Sequence, residues 1–217
     1  IVVGYTSSGG GSDFAVARFT SAGVLDASFG TGGKVETDFG SHSSAYAVTI
    51  DTESRIVVAG HVNIGNNIDF AVARYTSAGA LDMSFSADGK LTTAIGSGND
   101  YGHGVAVDSA GNVYVTGDTE GALIGTNVGR TDIFLVKYDS SGSQQWIKQI
   151  GTSSNETVEG FAVDSSGDAY MTGYTKGALT GSNAGGWDIF LTKYKTLMTL
   201  SWDTSISKKK ATITSGG

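Results

Sequence analysis

DIFLVKY at residues 132–138 is the third of four near-copies of one short run, after DFAVARF at 13–19 and DFAVARY at 69–75 and before DIFLTKY at 188–194. The starts lie 56, 63 and 56 residues apart, so the chain is an array of one unit and reads as a repeat fold. In a strand, Ile133 and Leu135 fall on one face, and Phe134, Val136 and Tyr138 on the other. Both faces are apolar and each needs cover, whereas a sheet with one wet face would alternate.

A second marker keeps step with the first. IVVG, IVVAG, VYVTG and AYMTG end at Gly4, Gly60, Gly117 and Gly173. Residues 104–150 read as four strands, GVAVD, VYVTG, DIFLVKY and QQWIKQI, with Asp108-Ser109-Ala110-Gly111-Asn112 and Asp139-Ser140-Ser141-Gly142 as hairpin turns. Calcium is not expected at these aspartates, because the D-x-D-x-D-G spacing is missing. No segment sustains a period near 3.6, which argues against a helical solenoid.

Four small antiparallel sheets, each apolar on both sides, are all satisfied when they stand as blades around an axis. The expected fold is all-β: a single β-propeller domain over 1–217, with four-stranded antiparallel blades in four units of about 56 residues. The units fall at about 1–40, 44–96, 104–150 and 160–206. Unit one lacks a first strand, and ATITSGG at 211–217 would supply it, with 211–214 closing blade one and removing a sheet edge. The link from Ile206 to Ala211 is short, so a larger ring or two chains completing one stays open as the alternative.

The units are of two kinds. Units one and two place LDASF (25–29) and LDMSF (81–85) in a longer connection, and carry Ala15, Ala17, Ala71 and Ala73 where the later units have Phe134, Val136, Phe190 and Thr192. Leu25, Phe29, Leu81 and Phe85 are expected to fold back and fill the space over those alanines, since interiors are close-packed. With DFAVARYTSAGALDMSF and DGKLTT, the first half resembles the delta-sixty repeat. With VAVDSAGNVYVTG and DIFLVKYDSSGSQQW, the second half resembles the SBBP-type β-propeller repeat. The resemblance implies a bacterial protein that is extracellular or at the cell surface, and carries over no catalytic residues.

Composition narrows the function. A net charge of −7 disfavours phosphate backbones, so nucleic acid is not an expected partner. Cysteine is absent, which removes disulfides, thiolate nucleophiles and zinc-thiolate sites. No run is long enough to span a membrane as a helix, so insertion is not expected. The chain starts without Met or a signal peptide, which reads as a mature or excised piece of something longer.

A site is sought where the repeats differ. After the second-strand glycine stand Tyr5, His61, Asp118 and Tyr174, and before the first strand Ser44, His103 and Glu159. By resemblance to propellers, both sets lie on one face near the axis. His61, His103, Asp118 and Glu159 are weak candidates for a metal site or an acid-base pair, and Trp187 in the loop 176–188 suits a sugar ring or a protein anchor. Solvated or backbone-bonded loop side chains are the bland reading. Arg18, Arg74, Lys137 and Lys193 share one repeated place, as do Asp13, Asp69, Asp132 and Asp188; blade geometry explains both sets.

The sequence thus favours a non-catalytic extracellular module, binding or scaffolding, that presents a loop face to a glycan or protein. No catalytic residue and no cofactor are expected. The alternatives are a metal-assisted lyase or hydrolase acting on a polysaccharide, and a structural repeat block of a surface or filament protein, with self-association as a further option.

Overall fold

The computed structural model describes residues 1–8, 11–123, 129–179, 183 and 185–195. Among the described residues fourteen strands form four antiparallel sheets. Blade 1 has the order β1 (Val2–Ser8), β2 (Gly11–Ala17), β3 (Lys34–Thr37). Blade 2 follows with β4 (Ser43–Ile50), β5 (Ile56–Ile64), β6 (Asn67–Tyr75) and β7 (Lys90–Thr93). Blade 3 holds β8 (Asp100–Val107), β9 (Val113–Thr119), β10 (Asp132–Tyr138) and β11 (Gln144–Ile150). Blade 4 shows β12 (Glu156–Val163), β13 (Ala169–Thr175) and β14 (Asp188–Tyr194). The fourth strand expected in unit four and the closing strand at 211–214 lie outside the described residues.

Chain order is spatial order within every blade, as hairpin connections require. The turns close as their sequence demands. Asp108 Oδ1 accepts the N–H groups of Ala110 and Asn112, Asp139 Oδ1 those of Ser141 and Ser143, and Asp164 Oδ1 those of Ser166 and Asp168. Gly111, Gly142 and Gly167 supply the positive φ, near 80°, that such a reversal needs.

The blades stack face to face with three cores between them. Phe14 and Val16 of blade 1 meet Ala45, Ile56 and Val58 of blade 2. Phe70 and Val72 meet Val113, Val115, Phe134 and Val136 of blade 3, with the rings of Phe70 and Phe134 stacked at 4.5 Å. Ile133 and Leu135 meet Val158, Met171 and Phe190 of blade 4. Every apolar side chain of β10 is therefore buried on one side of its sheet or the other, the arrangement that a two-sided apolar strand dictates. The first strands of neighbouring blades touch, β4 with β8 and β8 with β12, which places them at the hub.

The filling of the alanine faces differs from expectation. Leu81 does fold back, onto the cluster that holds Ala71 and Ala73 of its own blade. Phe29 and Phe85 are fully buried but reach forward: Phe29 joins the cluster of Ala71 and Ala73 in the next blade, and Phe85 joins that of Phe134 and Val136. Leu25 stays half-buried, bridged to Phe19. The long connection serves the interface between units more than the unit that carries it.

Candidate functional site

Three first strands carry a β-bulge at one equivalent register. Pairing shifts between Ala45 and Ala47, between Gly102 and Gly104, and between Val158 and Gly160, so Tyr46, His103 and Glu159 are each left out of the ladder. A bulge re-aims one side chain without ending the strand. The bulge also explains the repeated glycine. A Cβ on Gly60, Gly117 or Gly173 would lie 2.0, 1.8 or 1.9 Å from the carbonyl oxygen of Ser44, Tyr101 or Thr157 respectively. Gly4 has nothing within 4 Å, because no first strand lies beside it among the described residues.

This register corrects two sequence expectations. The counterpart of His103 and Glu159 is Tyr46, not Ser44, which instead pairs with His61. The first strands begin at Asp100 and Glu156, ahead of the expected unit starts at 104 and 160, and the bulge residues lie inside them. A single extra residue resets the in-out alternation that marks a strand, so the leading half carries no continuous strand pattern with the rest.

Between blades 2 and 3 the side chains gather into a cluster. Tyr46, 55% exposed, stacks on His61 with ring centroids 5.2 Å apart, and the Tyr101 ring meets His61 edge-on at 5.2 Å. His103 lies 6.0 Å from the Tyr46 ring and 6.4 Å from that of Tyr101. His103 Nε2 sits 3.3 Å from Asp118 Oδ2, while Asp118 Oδ1 accepts the N–H of Val158 from blade 4 at 3.1 Å. Burial, reinforced by the neighbouring His103, pushes the His61 imidazole below the usual histidine range, so it stays neutral at pH 7. Its Nδ1 is buried with no hydrogen-bond partner among the described residues.

Glu159, Tyr174 and Trp187 meet elsewhere on the same side. With Thr157 they line a cleft of about 310 Å³ on blade 4, and Lys176 Nζ lies 4.6 Å over the Trp187 ring. Tyr5 lines a separate, open cleft on blade 1. Leu123 and Leu179 pack at the edges of the cores. The seven site residues thus divide into the His61, His103 and Asp118 cluster, the Glu159, Tyr174 and Trp187 cleft, and Tyr5 alone. Among the described residues no three His, Asp or Glu side chains are placed to hold a metal, so the four weak metal candidates do not form one chelating set. Tyr46 and Tyr101 escaped the sequence reading; their signal is the residue before the bulge glycine or at it, legible only once the shift is known.

Arrays of apolar-faced, four-stranded sheets standing around a hub define a β-propeller. Residues 91–125 and 145–179 match the model described as SBBP, a beta-propeller repeat, and residues 1–29 and 54–85 match Domain of unknown function (DUF5122) beta-propeller. The chain is therefore built of β-propeller repeats of two families, one in each half. It is also 32% identical over 141 residues to the Regulatory protein FlaEY of Caulobacter vibrioides, a stretch that covers 59% of this chain and 14% of that protein. A rigid frame of such repeats with variable hub residues is suited to binding or scaffolding.

Proposed function

We propose that the chain is a non-catalytic binding module, extracellular or at the cell surface, whose hub face takes a glycan. The observation that supports this reading is the bulge at one register in three blades, occupied by a different side chain each time. Around those positions stand exposed rings, Tyr46, Tyr174 and Trp187, interleaved with the carboxylates of Asp118 and Glu159. A sugar ring offers an apolar face for aromatic stacking and hydroxyls for carboxylate and imidazole partners.

The test is a glycan array with the intact chain, followed by calorimetric titration of any hit. Tyr46→Ala or Trp187→Ala should weaken binding about tenfold, the equivalent of about 1.4 kcal/mol. An array without signal above background overturns the glycan reading. A hit whose affinity survives both substitutions overturns the site.

A further inference from the structure

The two units of the first half hold their successors by a device that the later units lack. Arg18 donates through Nε to Asp26 Oδ2 at 2.9 Å and through Nη2 to Ser28 Oγ at 2.8 Å, with its guanidinium 4.8 Å over the Phe29 ring. Its third arm, Nη1, donates across the interface to the carbonyl oxygen of Ser77 in blade 2. Arg74 repeats every contact one unit later. It bonds Asp82 Oδ2 at 2.8 Å and Ser84 Oγ at 3.0 Å, lies 4.6 Å over Phe85, and reaches Ser140 O of blade 3 at 2.8 Å. The residue after each phenylalanine adds a backbone bond, from Gly30 N–H to Ala78 O and from Ser86 N–H to Ser141 O, both at 2.9 Å. Together these groups form a latch that grips the turn following the third strand of the next blade.

The gripped turn in blade 2 reads Thr76-Ser77-Ala78-Gly79, and blade 1 carries the same four residues as Thr20-Ser21-Ala22-Gly23. Both turns close identically, Gly79 N–H on Thr76 O at 2.9 Å and Gly23 N–H on Thr20 O at 3.0 Å. Their surroundings differ. A Cβ on Gly79 would lie 2.9 Å from the Phe29 ring and one on Gly142 3.3 Å from that of Phe85, yet one on Gly23 meets nothing within 4 Å. Among the described residues the sheet face beside it is open as well. Ala15 and Ala17, counterparts of the fully buried Ala71 and Ala73, line a cleft of about 230 Å³ with Val2, which is 57% exposed.

We infer that this face of blade 1 is an interaction surface for a further β-propeller unit of the arginine type, one that carries the same latch. Two independent features fit that occupant: a turn whose Ser21 and Ala22 carbonyls are gripped by no other blade among the described residues, and an alanine-lined face that elsewhere receives Phe14, Val16 and Phe29. The other units described do not fit. The latches of units one and two are engaged by their own successors, so a second copy of this chain has none free. Blade 4 has Lys193 turned onto its own Asp168 at 2.8 Å and lying 4.8 Å over Tyr170, and the sequence after Phe190 contains no phenylalanine. It cannot reproduce the grip.

The test fuses a second copy of residues 44–113 ahead of Ile1 of the full chain, which supplies an arginine-type unit together with a first strand for blade 1. Amide hydrogen exchange is followed at the turn from Thr20 to Val24. The fusion should slow exchange there by about tenfold or more relative to the chain alone. Arg74→Met with Phe85→Ala, made only in the added copy, should return the rate to that of the chain alone. Gly23→Asn, which tolerates the positive φ but fills the phenylalanine seat, should do the same with the added unit left intact. Unchanged exchange in the fusion, or equal protection in all three fusions, overturns the inference.

Discussion

Replacing Gly117 with alanine would put a methyl carbon 1.8 Å from the carbonyl oxygen of Tyr101. Carbon and oxygen rest no closer than about 3.3 Å, so β8 and β9 must part by about 1.5 Å at the bulge. Overpacking of this kind costs about 1–3 kcal/mol, and a ladder hydrogen bond lost in the parting adds about 1 kcal/mol. A total near 3 kcal/mol corresponds, for a domain of this size, to a fall in Tm of roughly 6–12 °C. Gly4→Ala is the internal control. It stands at the same place in the repeat, has nothing within 4 Å of the added carbon and does not have positive φ. It should leave stability unchanged or raise it by about 0.5 kcal/mol through the unfolded chain. Urea titration followed by tryptophan fluorescence measures both variants. If Gly4→Ala costs as much as Gly117→Ala, a strand lies against β1 in solution and the reasoning from an open edge fails.

Arg74→Met should destabilise by about 3–5 kcal/mol in chemical denaturation, because a guanidinium only 1% exposed leaves Asp82 and the Ser140 carbonyl without their partner. Arg18→Met should cost less, about 1 kcal/mol, since that side chain is 23% exposed. Asp100 is fully buried, and burial pushes its carboxyl up to about 6. The native state therefore holds this proton more tightly than the unfolded chain. The associated stability is fully present below the unfolded value near 3.8 and is lost as pH rises through about 6, with an amplitude of about 3 kcal/mol. Asp100→Asn should flatten that part of the stability profile measured between pH 4 and 7, and an unaltered profile refutes the assignment. Tyr138→Phe should cost about 1–2 kcal/mol by stranding the Thr93 hydroxyl, which lies 2.6 Å from the phenol oxygen. Adding Thr93→Val should recover part of it in a double-mutant cycle.

Much of the fold was legible because the signals recur. Apolar residues on both faces of DIFLVKY state that each sheet is sandwiched, and Ile133, Phe134, Leu135 and Val136 are all fully buried. The turn aspartates announce hairpins through short-range chemistry that needs no knowledge of neighbours. What escaped is what depends on another element. The bulges at Tyr46, His103 and Glu159 leave no local mark beyond a glycine on the partner strand, so the sequence points to Ser44 where the structure places Tyr46 against His61. The forward reach of Phe29 and Phe85 escaped for the same reason, since an apolar residue after a turn does not state whose surface it will cover. Ile189 and Leu191, 79% and 74% exposed, occupy places where Ile133 and Leu135 are covered by the following blade. From their sequence alone the two pairs are indistinguishable.

The arginine latch closes on main-chain oxygen. Arg18 takes the carbonyl of Ser77 within Thr-Ser-Ala-Gly, and Arg74 takes that of Ser140 within Asp-Ser-Ser-Gly, from a unit of the other family. The polar half of this coupling reads the path of the backbone, so it tolerates a change of side chains in the downstream turn provided the turn keeps its shape. Such a joint is compatible with units of different sequence standing in tandem, as units two and three do here.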